Sequence, residues 1–153
     1  MTERNPLSAI GPLMLLMLVL AMLGQLGSEQ PARHTGTTSF QPASEDIEVY
    51  SLYDLSHPLT SLAWGTLTPG ESAHQDVYVG NNNHSATYNL SMSTSNWDPP
   101  EASTYMGFSW NCTGQTVNPQ SSVCARFTLE VYPNCTGIDH FSFTINLSYE
   151  EVT

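Results

Sequence analysis

The chain predicts an all-β domain of about seven antiparallel strands behind one N-terminal hydrophobic helix, and three observations predict it. Apolar and polar residues alternate with period two from Ile47 to Val152. Turn-forming residues break that stretch roughly every 10–15 residues, with no helical pattern between them. Ahead of it, Ala9–Leu23 is apolar and free of charge. About seven short strands in roughly 105 residues fit an immunoglobulin-like antiparallel β-sandwich. That length can bury a core without help from disulfides or metals.

Three segments follow along the 153 residues. Residues 1–28 read as a signal peptide or signal anchor helix. A continuous apolar cylinder is costly in water, so a translocon or bilayer is its natural environment. Fifteen residues suit a signal-peptide core, whereas residues 9–26 make a short membrane span; Leu26-Gly27-Ser28 is the best available cleavage site. The balance of these features leans towards a retained anchor. Arg4 orients the N-terminus inside and the rest outside. Residues 29–46, rich in Thr, Ser, Pro and Gln, read as a flexible linker or stalk. Residues 47–153 form the predicted extracellular domain.

Within it the clearest strand is Ile138–Val152, with Phe141, Phe143, Ile145, Leu147 and Tyr149 on one face and Ser142, Thr144, Asn146 and Ser148 on the other. Ser121–Tyr132 sorts Val123, Ala125, Phe127, Leu129 and Val131 from Cys124, Arg126, Thr128 and Glu130. In Ala86–Thr94, Tyr88, Leu90 and Met92 oppose Asn89, Ser91 and Ser93. Weaker patterns place strands at Ile47–Asp54, Leu59–Leu67, Ser72–Gly80 and Thr104–Trp110. Pro69-Gly70 suits a type II turn, with proline fixing one φ and glycine supplying the positive one.

Charge excludes whole classes of partner. Arg4, Arg33 and Arg126 are the only Lys or Arg residues, and the formal net charge is -11. Such a surface repels phosphate backbones, so no nucleic acid is expected, and a polybasic grip on anionic lipid is excluded too. Only 11% of residues are charged, so Ser, Thr and Asn must hydrate the surface. Five Asn-x-Ser/Thr sites at Asn83, Asn89, Asn111, Asn134 and Asn146 make N-glycosylation an expectation on an exported chain. All five fall in turns or on polar strand faces.

Three cysteines leave one over. Val123–Val131, extended, spans roughly 30 Å, whereas bridged Cα atoms sit within about 7 Å. Cys135 therefore reaches neither of the others, and Cys112–Cys124 is the expected disulfide, closing a hairpin loop. Cys135 is then free or paired with another subunit. The run Cys135-Thr-Gly-Ile-Asp-His140 resembles the copper-ligand loop of cupredoxins, which implies Cys135 and His140 as ligands with His84 or His57 as the second histidine. The pattern departs from that family in lacking a Met after His140 and in placing Cys135 inside a glycosylation tripeptide.

No H-E-x-x-H, G-x-S-x-G or phosphate-cradling glycine loop occurs, so no catalytic residue and no cofactor is assigned and the chain is expected not to be an enzyme. Trp64, Trp97 and Trp110 could form a sugar-stacking platform, although Trp110 is in phase with Met106 and Phe108 and so reads as core. The pattern Trp64-Gly65-x-Leu67-x-Pro69-Gly70-Glu71-Ser72, then Val77-Tyr78-Val79, Asn96-Trp97-x-Pro99, Ser109-Trp110 and Phe141-Ser142-Phe143-x-Ile145, resembles a group of small archaeal cell-surface proteins. The resemblance implies a hydrophobic N-terminus, one immunoglobulin-like domain, and a place on the extracellular face of the membrane or in secretion. Some archaeal filament subunits are similar in build, which makes Thr35–Glu45 a candidate donated strand, though one poor in apolar anchors. The expected role is adhesion, filament or envelope assembly, with self-assembly or other envelope proteins as partners; the alternatives are ligand or glycan binding, an accessory subunit of a membrane complex, and the copper electron carrier.

Overall fold

His34–Gln41 carries one large apolar side chain, Phe40, yet it alternates buried and exposed positions along most of its length. In the computed structural model, which describes residues 30–41 and 44–153, this segment is strand β1. It is followed by β2 (Ile47–Tyr50), β3 (Ser61–Leu67), β4 (Ser72–Asn81), β5 (Tyr88–Asp98), a one-turn helix α1 (Ala102–Tyr105), β6 (Met106–Trp110), β7 (Thr116–Val117), β8 (Ser121–Val131) and β9 (His140–Glu151). Two sheets form among the described residues, one of five strands in the order β3-β1-β9-β5-β7 and one of four in the order β2-β4-β8-β6. The fold is all-β. The N-terminal helix and the membrane segment 9–26 expected from sequence lie outside the described residues.

Strand β1 corrects two expectations. The stretch 29–46 is not a free linker, because its centre is inserted between β3 and β9 and the compact unit begins at Pro31 rather than at Ile47. Nor is the fold wholly antiparallel, because β1 runs parallel to β9. The physical reason is that β1 is held mainly through its backbone, which pairs on both sides. Its inward positions are His34, Gly36, Thr38 and Phe40, three of which give no hydrophobic signal. His34 is tied by Nδ1 to the Ile138 carbonyl.

The other strands stand close to their expected places, with shifted ends. The predicted Ile47–Asp54 strand stops at Tyr50, where the chain loops back so that Pro58 bridges to Tyr50. The predicted Thr104–Trp110 strand begins only at Met106, after α1. The Thr68–Glu71 turn forms as expected, with Gly70 at φ 87° and the Glu71 amide donating to the Thr68 carbonyl at 3.0 Å. In β3, Trp64 and Leu67 are both buried although three residues apart. A bulge opposite Gly36/Thr37 resets the alternation there, and Gly65 supplies the positive φ (71°) that it needs.

Both sheets contribute to one core. Phe127 of β8 meets the rings of Phe40, Phe108 and Trp110, Phe108 packs on Phe143 of β9, and Trp64 of β3 meets Phe108 edge-on. At one end the chain entering β2 is fastened by phenols. Tyr88 donates to Asp46 Oδ2 at 3.0 Å, Tyr149 donates to Ser44 Oγ at 2.7 Å, and the two rings lie 4.3 Å apart.

Burial, and next the hydrogen bond to Asp46, push the Tyr88 phenol from 10.0 up to about 12. A raised phenol pKa means that the folded state holds the proton more tightly than the unfolded chain does. The resulting stabilisation is complete below pH 10.0 and is lost as pH rises towards about 12. In urea titrations across that window the wild type should lose stability more steeply than Tyr88→Phe. Parallel curves would assign the loss to other groups.

Candidate functional site

The outward face of the five-stranded sheet is a tile of hydroxyl and amide side chains. Its rows follow from the strand register: Ser61, Ser39, Thr144 and Ser95; then Gln41, Asn146 and Ser93; then Ser148 and Ser91. Ser39 and Thr144 hydroxyls lie 3.3 Å apart, those of Ser91 and Ser148 2.7 Å apart, and Asn146 Nδ2 donates to Ser95 Oγ at 2.8 Å. None of these side chains ionises. His140, Asp98 and Glu150 stand only at the borders, in the rows of Thr35, Ser142 and Asn89.

The outward face of the four-stranded sheet is different in kind. Arg126 makes a two-pronged pair with Asp76 at 2.7 and 2.8 Å, and it holds the Asp76 carboxyl below the usual carboxylate range chiefly through that hydrogen bond. Both partners are more than half exposed, so water screens the pair and its contribution is small. Glu130 and His74 share this face. The loop after β2 folds across it, with Tyr53 lying edge-on to Tyr78. The middle of the five-stranded face is therefore uncharged, whereas the four-stranded face carries the Asp76–Arg126 pair in mid-strand.

The glycosylation tripeptides divide by the state of their amides. Asn89, Asn111 and Asn134 are exposed, and among the described residues nothing accepts from their Nδ2 groups. Asn111 uses only its Oδ1, which accepts from the Arg126 amide at 2.8 Å. Asn83 is half-buried; its Oδ1 accepts from the Ser85 and Ala86 amides, both at 2.9 Å, and its Nδ2 donates to Asp46. Asn146, also half-buried, sits mid-strand with its amide held by Ser95.

The expected Cys112–Cys124 disulfide is not formed; all three cysteines are free thiols. Cys112 is buried and its thiol reaches the Cys124 carbonyl at 3.5 Å, whereas the Cys124 side chain points outward and is exposed. The two thiols thus leave the backbone in different directions. Cys135 is buried, so it is not presented to another subunit. Burial raises the pKa of both Cys112 and Cys135, which keeps them from the thiolate form that metals and electrophiles need.

The copper arrangement is also corrected. His84 follows the end of β4 that pairs with Ser121, while Cys135 lies past the opposite end of β8. Those ends are separated by roughly 30 Å of extended strand. His140, although nearer Cys135 in sequence, is exposed, and no cluster of three or more His, Cys, Asp or Glu fit to hold a metal occurs among the described residues. The three tryptophans do not make an outward platform. Trp64 is buried, Trp97 stacks on Phe143 at 4.1 Å and Trp110 stacks on Phe127 at 5.9 Å.

One cavity of about 110 Å³ opens between the sheets beside Phe40, Val49, Leu59 and Leu147, with Glu48 at its wall. No helix among the described residues is long and apolar enough to cross a membrane. The sequence showed the Ser/Thr columns of β5 and β9, but the column of β1 between β9 and β3 was missed for lack of an apolar partner column. Compared with protein-family models and with curated proteins, the chain matches none.

Proposed function

We propose that this chain is a non-enzymatic, extracellular module with an immunoglobulin-like β-sandwich, anchored to or secreted across the membrane, that serves adhesion or the assembly of a filament or envelope. The observation that carries the reading is the uncharged Ser/Thr/Asn tile. On a chain of net charge -11 it gives a broad hydrated surface without electrostatic repulsion. Two glycosylation tripeptides, at Asn89 and Asn146, lie on the same outward side. Small-molecule binding at the cavity beside Phe40 has less support, because its volume of about 110 Å³ falls well below the roughly 300–1,000 Å³ of small-molecule sites.

Mass spectrometry of peptides from the native protein tests this. The protein should come from the membrane or envelope fraction carrying sugar at Asn89, Asn111 and Asn134, with Asn83 and Asn146 less occupied. Recovery from the cytosol with all five asparagines bare would end the proposal.

A further inference from the structure

Strand β5 has an open edge. Its other side pairs with β9 over most of its length, but β7 covers it only at Tyr88 and Asn89. The Leu90 amide donates to the Gln115 carbonyl and the Leu90 carbonyl accepts from the Gly114 amide, both at 2.9 Å, so the main-chain groups of Leu90 point away from β9. Backbone groups alternate along an antiparallel strand, so those of Met92 and Thr94 point the same way. Among the described residues they meet no hydrogen-bond partner on that side.

Exposed edges are normally guarded by lysine, proline or inward charge. This edge has none of them. Tyr88–Trp97 contains no charged residue and no proline, and the guarding features (a bulge, Asp98 and Pro99) come only after Ser95. On a chain of net charge -11, two copies repel wherever carboxylates meet. Here they would meet without that repulsion, and the uncharged tile would continue from one copy into the next.

We propose that the open edge of β5 pairs antiparallel with the same edge of a second copy of this chain, about a two-fold axis through Ser93. In that register Met92 of each copy faces Thr94 of the other, and each such pair exchanges main-chain hydrogen bonds. The two Ser93 side chains become neighbours across the axis on the outer face. The contact is short, so association is weak and concentration-dependent. The inference rests on the assembly reading but names one contact within it.

Sedimentation of the full chain in detergent, over a range of concentrations, decides the matter. Wild type and Ser93→Thr should double in mass as concentration rises. Ser93→Lys and Ser93→Glu should each remain single, because like charges would stand opposite one another, and an equimolar mixture of the two should double again. Far-ultraviolet dichroism and the melting temperature must match wild type in all variants. Wild type that stays single, or Ser93→Lys that doubles as wild type does, overturns the edge contact. The latter result would leave assembly through another surface intact.

Discussion

Phe127→Ala is expected to lower the free energy of unfolding by about 3–5 kcal/mol, a large share of the roughly 5–15 kcal/mol that a domain has. Phe127 is fully buried. Its ring lies 5.9 Å from Phe40 of β1, 5.6 Å from Phe108 of β6 and 5.9 Å from Trp110, so the cavity left by alanine is walled by both sheets. Rings anchored on separate strands cannot all move inward to fill it. Urea unfolding should show a lower midpoint at an unchanged slope. Phe127→Leu should lose clearly less. A cost near that of a surface substitution, within about 0.5 kcal/mol, would mean that the sheets do not share this core.

The second large effect comes from adding a single methyl group. Gly36→Ala would place a Cβ 1.9 Å from Cζ of Phe141 and 2.1 Å from its Cε2. Phe141 is itself buried beside β1, so its ring has little room to retreat. We expect a loss of about 3 kcal/mol, at the upper end of ordinary overpacking. The sign is informative in its own right. In a flexible linker the same change would be neutral, and where the backbone permits alanine it stabilises by about 0.4–1 kcal/mol through the unfolded chain. Phe141→Leu should recover much of the loss, giving a coupling above about 1 kcal/mol in a double-mutant cycle. Strict additivity would mean that β1 is not seated against Phe141.

Legibility in the sequence followed the chemistry of each strand. Strands β5, β8 and β9 were readable because one column of each is largely aliphatic or aromatic and the other polar. Strand β1 was not, because His34, Gly36 and Thr38 face inward and resemble a stalk when read by hydropathy. The short β7 escaped too, since two residues make no period. Among candidate residues, the separation of Cys135 from the other thiols followed from strand length. The disulfide and the copper set failed for a different reason: sequence spacing says nothing about which way a side chain leaves the backbone, or at which end of a strand a loop emerges.

The amino-acid order alone determined an all-β domain, an acidic surface hydrated by neutral side chains, and the columns of residues facing each way. Those properties are local, because each strand's alternation and each turn's φ requirement are written within a few residues. Only the tertiary structure decided that β1 fills the gap between β3 and β9, that hydroxyls tile the uncharged middle of one sheet while the Asp76–Arg126 pair sits on the other, and that β5 keeps a bare edge among the described residues. These depend on which strands become neighbours, and neighbour choice is set by long-range backbone pairing and core closure.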